Sequence, residues 1–247
     1  MEPLARSKTT HMGLAASTLL AAAGVLAIAA AAQRWWSACE IGAFDTSSCL
    51  RRQDNAYNYT VPSDSWVPVG SAAELQGVAM LFLAIAVLLL PAALTGRRPR
   101  LVLSIAAVVV SVGIAVSAAV TWLSGYAGQV VTLPGMWLPV MLWWLGLPAL
   151  VGASFAIASV GPVPVRVGVQ RWAVVACVLA STPPVTQLFV APMLFFYQSH
   201  DMIPWSEAVG GMLLIGASVF LALASYRHPL PDTASADASV TQQARWT

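Results

Sequence analysis

LVLSIAAVVVSVGIAVSAAVTWL, Leu101 to Leu123, decides the fold. It contains no Asp, Glu, Lys or Arg. A helix rises about 1.5 Å per residue, so about 20 mostly apolar residues cross the hydrocarbon core of a bilayer. The stretch predicts a transmembrane helix. Five more runs read the same way, Met12–Ala32, Gly77–Leu94, Trp137–Ser159, Trp172–Phe196 and Ala208–Tyr226, again with no charged residue between their ends. The predicted fold is an all-α polytopic membrane protein with six transmembrane helices and a small disulfide-stapled extracytoplasmic loop.

Composition agrees. The chain is 58% hydrophobic and 9% charged, with mean hydropathy +0.75. Soluble domains carry about 25% charged residues, so lipid must be part of this solvent. The net charge of +2 comes with no basic stripe interleaved with aromatics, which argues against a nucleic-acid partner. A single lysine among many arginines and abundant alanine suggest a GC-rich, bacterial genome.

The span 12–226 is expected to be the membrane domain, flanked by a short segment 1–11 and a polar tail 227–247. Pro229 and Pro231 mark that tail as disordered. The first run has a second reading: Arg6 and Lys8 precede an Ala-rich stretch ending Ala30-Ala31-Ala32, as in a secretory signal peptide. It is longer than the usual signal core, and a retained helix is expected. Pro91 near the end of the second run predicts a tilt or kink.

Orientation follows from Lys and Arg in the short loops. Arg6 and Lys8, then Arg97, Arg98 and Arg100, then Arg166 and Arg171, then Arg227 and Arg245 fall in alternate segments. The intervening segments carry Glu40, Asp45, Asp54, Asp64, Glu74, Asp201 and Glu207, although 33–76 also has Arg34, Arg51 and Arg52. Both termini are therefore expected in the cytoplasm of a plasma (inner) membrane protein. Trp35, Trp36, Trp66, Trp122, Trp137 and Trp205 then fall at the outer boundary and Trp172 at the inner one, as in an interfacial belt. Trp143 and Trp144 lie two turns inside the fourth run, for packing or for lining a groove.

The polar segment 33–76 contains CEIGAFDTSSC, Cys39 to Cys49. The spacing is not that of a CxxC dithiol, and no nearby His or third Cys completes a zinc site. Outside the cytoplasm a structural disulfide is the expected pairing. Cys177 is expected to be a small buried apolar residue. Tyr57-Asn58-Tyr59-Thr60-Val61 has strand-like residues stopped by Pro62, so the cap is expected to be partly extended. The order Trp36-x-x-Cys39-x9-Cys49 ahead of an apolar helix is similar to part of the claudin-type signature. Arg34-Trp35 stands where that family has Gly-Leu, and the family has four spans. The likeness is read as convergence and carries no function.

Chemistry-bearing residues are sparse. His11, His200 and His228 lie at span edges, so no pair ligates a haem within the bilayer. Gly152-Ala153-Ser154 is similar to a rhomboid-type GxS, but no intramembrane His partners Ser154. Glu74 and Glu207 each begin an out-to-in helix, where the macrodipole favours a carboxylate. Gly210, Gly211, Gly216 and Ala217 permit close helix approach.

The main anomaly is Ser181-Thr182-Pro183-Pro184-Val185-Thr186-Gln187 in the fifth run. Two prolines remove two backbone donors and disfavour helix at the preceding residue. In lipid the freed carbonyls need other partners, which Ser181, Thr182, Thr186 and Gln187 are placed to supply. Such a break is either a packed kink or a binding site of the kind transporters build. Pro139 and Pro148 make a weaker case in the fourth run. The expected function is a non-enzymatic accessory or scaffold subunit surrounded by lipid and other membrane subunits, without cofactor or metal. The alternative is a small permease-like transporter of an uncharged or lipidic substrate using the broken helix.

Overall fold

The computed structural model describes residues 3–63, 65–96, 99–160, 165–199 and 201–226, with the side chains of 3–9 and 166 left aside. Asp64, Arg97, Arg98, His200 and the tail 227–247 lie outside the described residues, and so do the side chains of Arg6, Lys8 and Arg166.

The protein is all-α, with five helices long and apolar enough to cross a membrane and a sixth, broken one. Helix α1 is Pro3–Trp35, α2 is Ser47–Gln53, α3 is Ala72–Thr95 and α4 is Leu101–Ala127. The fourth span joins α5, Trp137–Met141, to α6, Leu147–Ala158, through a π-helical segment Leu142–Gly146. The fifth joins α7, Val165–Ala180, to α8, Pro183–Val185, then a π segment Thr186–Val190, then α9, Ala191–Phe195. The last helix, α10, is Ser206–Tyr226.

Antiparallel packing of α1 and α10 fixes the frame. Gly13 faces Ser225, Ser17 Oγ donates to the Ser218 carbonyl at 2.9 Å, and Gly24 faces Gly211. On the other side of α1 lies α3, followed by α4. Ser111 Oγ on α4 donates to the Ala84 carbonyl on α3 at 2.8 Å. Without a hydrophobic force between helices in lipid, such close approach and hydrogen bonding drive the packing. Thus α1, the run with the signal-peptide reading, packs between α3 and α10.

The helices overrun the apolar runs. The first continues past Ala32 to Trp35, which brings Arg34 into its last turn, and α3 begins at Ala72 rather than Gly77. Pro91 does not end α3, which runs on to Thr95, where the Thr95 hydroxyl donates to the Pro91 carbonyl. Gly96 and Gly128 close α3 and α4 at φ 67° and 64°, a left-handed conformation that glycine adopts without a Cβ clash.

The fifth span departs from a straight helix. Its two arms, Val167–Ala180 and Pro183–Phe195, meet at 81°. The lower arm starts beside α6, where Trp172 packs on Phe155. The upper arm ends against the cap, with the Phe195 ring 5.7 Å from that of Phe44. The pair therefore runs from the α6 end of the bundle to the cap end, and counting it as one broken span gives six spans against five straight ones.

The disulfide joins Cys39 to Cys49, and Cys177 is free, half-buried beside Gly216. The cap it staples holds two short helical pieces, and its expected strand-like stretch, Tyr57 to Val61, is irregular beyond Tyr57. Thr46 caps α2 by accepting from the Cys49 amide, and Asp54 caps a short 3-10 turn, Asn55–Tyr57. The stretch from Tyr57 to Val61 pairs with no strand; Asn58 Oδ1 accepts from the Thr60 amide instead. The segment between α9 and α10 docks on this cap: Tyr197 and Ser199 hydroxyls both donate to Gln53 Oε1, and Trp205 Nε1 donates to the Cys39 carbonyl.

Candidate functional site

Two groups of residues meet below the cap. The first is an ion pair. Arg34, fully buried, places its guanidinium 3.2 Å from Glu207 Oε1 in the first turn of α10. All five of its N–H groups have partners: Nε and Nη2 donate to the Arg52 carbonyl, Nη2 also to that of Asp54, and Nη1 to Glu207 and to Met202 Sδ. The second oxygen of Glu207 accepts from Trp35 Nε1 at 2.9 Å and from Ser206 Oγ. A buried pair holds only when its remaining donors and acceptors are matched, and here they are. Beside it, burial pushes the Tyr59 phenol well above its ordinary pKa, with Glu207 adding and Arg34 opposing. That phenol stays protonated, and its oxygen has no partner among the described residues.

The second group is the helix break. Carbonyls freed by Pro183 and Pro184 are taken up locally. Ser181 Oγ donates to the Val178 carbonyl at 2.8 Å, Thr182 Oγ1 to Leu179 at 2.7 Å, and Thr186 Oγ1 to Ala180 at 2.6 Å and Thr182 at 3.0 Å. Gly210 on α10 lets the break approach: a Cβ there would stand 3.4 Å from the Ser181 carbonyl. Two π segments flank the site, and each ends two residues before a proline, Gly146 before Pro148 and Val190 before Pro192. A proline ring clashes with the carbonyl four residues back, and a widened turn relieves that clash.

Between these groups lies a small cavity of about 60 Å³. Its wall carries Ser181, Thr182, Pro183, Thr186 and Gln187 from the break. Thr60, Gln76, Ser206 and Glu207 line its cap end, and Met80, Leu83, Trp143, Leu147 and Leu214 its deeper part. From Ser206 to Leu214 along α10 it spans about 12 Å by helix rise. Gln76 is buried and its Oε1 has no hydrogen-bond partner among the described residues. The Gln187 amide likewise makes no side-chain hydrogen bond among them.

The structure thus brings all the break residues but Pro184 and Val185 to one cavity and sets Cys39 and Cys49 apart in the cap. Trp143 both packs in the core and lines the cavity, while Trp144 packs against the core with its Nε1 unpartnered among the described residues. Glu207 is more than a helix-dipole residue, and Arg34 is more than a loop cation. Sequence reasoning missed Arg34, Tyr59 and Gln76; the signals available were Arg34 beside two tryptophans and a lone Gln opening an apolar helix. Ser154 spends its hydroxyl on the Leu150 carbonyl at 2.8 Å.

No protein-family model matches the chain, and no curated protein and no solved structure matches it.

Proposed function

We propose that this integral membrane protein is permease-like and binds a small uncharged substrate at the break in its fifth span. The observation that carries the reading is convergence: the break, both π segments and the unpartnered Gln76 Oε1 reach one cavity. Irregular backbone at membrane depth is tolerated where it lines a cavity, and transporters place their sites there. The lining offers no unmatched charge, since Glu207 is neutralised by Arg34. Hence the substrate is uncharged. The Arg bias of the loops supports an orientation with the cap outside a bacterial inner membrane and both termini in the cytoplasm.

The accessory-subunit alternative leaned on small-residue helix faces as partner surfaces. Gly24, Gly210, Gly211 and Gly216 instead face other helices of the same chain. That shifts the weight to the cavity. In this reading the protein is non-enzymatic, and its surroundings are lipid.

The test is Pro183→Ala with Pro184→Ala. Native-detergent preparations are compared by mass spectrometry for a co-purifying small molecule. The double variant should fold and assemble as wild type does but lose that molecule, because a closed helix removes the cavity wall. A folded double variant that retains it overturns the reading.

A further inference from the structure

The size of the cavity and the groups left open on its wall together define what fits it. At roughly 15 to 30 Å³ for each water-sized group, its volume of about 60 Å³ holds about two to four non-hydrogen atoms. Many polar groups of the wall are already engaged. The hydroxyls of Ser181, Thr182 and Thr186 donate to backbone carbonyls of the break, and that of Ser206 donates to Glu207 Oε2. Glu207 Oε1 accepts from Arg34, and Oε2 accepts from Trp35 as well.

Five groups of the wall remain open among the described residues. Gln76 Oε1 is buried without a partner, and its Nε2 makes no hydrogen bond either. The Ser181 carbonyl, which faces Gly210, accepts none, because the helix restarts only at Pro183. The Thr60 amide donates to Asn58 Oδ1 and the Thr60 carbonyl accepts from Thr121, which leaves the Thr60 hydroxyl free. The Gln187 carboxamide and the Trp143 indole N–H are open too. Gln76 Oε1 and the Ser181 carbonyl can only accept, so the occupant brings N–H or O–H donors to them. The Thr60 hydroxyl and Gln76 Nε2 can donate, so the occupant also carries an acceptor. Met80, Leu83, Leu147 and Leu214 make the rest of the wall apolar, which disfavours a filling of water alone.

We infer that the cavity binds a small neutral amide, of the size of urea or acetamide, with its N–H groups at Gln76 Oε1 and the Ser181 carbonyl and its C=O at the Thr60 hydroxyl. This rests on the cavity being the binding site and names its ligand class. An N–C=O unit with an NH2 group supplies two donors and one acceptor on four or fewer non-hydrogen atoms, and it matches the edge of a carboxamide such as Gln76. A ketone of the same size has no donor for either open acceptor. An anion finds no free cation in the lining, and a cation finds Glu207 already matched by Arg34. A longer chain exceeds the volume.

The experiment reconstitutes the full chain in phosphatidylcholine liposomes and follows uptake of radiolabelled urea. Uptake should exceed that of protein-free liposomes, and unlabelled acetamide should inhibit it. Acetone, which has the shape of acetamide and accepts but does not donate, should inhibit roughly tenfold less well. Hexanamide, which keeps the amide but is too long, should also inhibit weakly. Gln76→Leu should lower the protein-dependent uptake at sub-saturating urea by roughly five- to tenfold. Thr60→Val, which keeps the shape of the side chain and removes a hydroxyl that folding does not use, should lower it by roughly fivefold. Uptake no faster than in protein-free liposomes, or inhibition by acetone or hexanamide equal to that by acetamide, overturns the ligand class, while the cavity reading stands on its double-proline test. Unchanged uptake in a folded Thr60→Val protein overturns the assigned contact and the inference with it.

Discussion

Arg34 and Glu207 meet at 3.2 Å, joining the last turn of α1 to the first turn of α10 across most of the sequence. The pair also gathers the cap, because the same guanidinium holds the carbonyls of Arg52 and Asp54. It closes the cap end of the bundle directly above the cavity.

Removing one partner leaves the other buried and unmatched. Glu207→Leu or Arg34→Met should each destabilise the protein by about 3–5 kcal/mol. Glu207→Leu combined with Arg34→Met should cost less than the sum of the single changes, since neither charge is then stranded. Thermal unfolding in detergent, run as a double-mutant cycle, reads this directly; additive losses would show that the pair does not act as a unit.

Gly24 and Gly211 make a reciprocal contact. A Cβ on Gly24 would stand 2.5 Å from the Gly211 carbonyl oxygen, and one on Gly211 2.6 Å from that of Gly24. Because backbone, not a flexible side chain, is the obstacle, Ala at either position should part the helices and cost about 1–3 kcal/mol. Gly152→Ala, where nothing lies within 4 Å, should be neutral or stabilising by up to about 1 kcal/mol. The same melting assay ranks all three variants.

Non-reducing peptide mapping of untreated membranes should recover Cys39 joined to Cys49, with Cys177 alone alkylated. Replacing both cap cysteines with serine should cost roughly 3 kcal/mol, on the entropy lost by an opened loop of this size. The loss should appear first as protease sensitivity near Phe44 and Tyr197, whose rings are 5.2 Å apart and join the cap to the end of the broken span.

Reporter fusions after Arg100 and Gln170 should read cytoplasmic, and a fusion after Gly128 should read external. The bent fifth span adds a further expectation. Its upper arm ends at the cap, so a fusion after Ser199 should also read external. A cytoplasmic signal there would mean that the chain turns back at Thr182 instead of crossing.

Some of this was legible residue by residue. Uncharged runs long enough for the bilayer gave the spans, because lipid penalises any charge or unpaired backbone along them. Cys39 and Cys49 were readable as a staple from spacing and the lack of other ligands. Pro183 and Pro184 marked the break, with Ser181, Thr182 and Thr186 beside it as the groups that take up its carbonyls. The helix α2 went unread, although Thr46 followed by Ser47 and Ser48 carried a helix-start signal, and the strand-like stretch Tyr57 to Val61 forms no ladder. At Tyr57 to Val61 no partner strand lies alongside, and the Asn58 side chain closes a local turn by accepting from the Thr60 amide.

The sequence by itself determined the solvent of this protein, and hence its helices, where they break and which cysteines pair. These are consequences of hydropathy, missing backbone donors and short loops, all local along the chain. The tertiary structure alone decided that Arg34 reaches Glu207, that Gly24 meets Gly211, and that Gln76 is left unpartnered facing the break. Those facts depend on which helix faces lie against each other. Residues far apart in sequence share a cavity only once α1, α3, α7 and α10 have packed, and no periodicity within one helix records the neighbour it will meet.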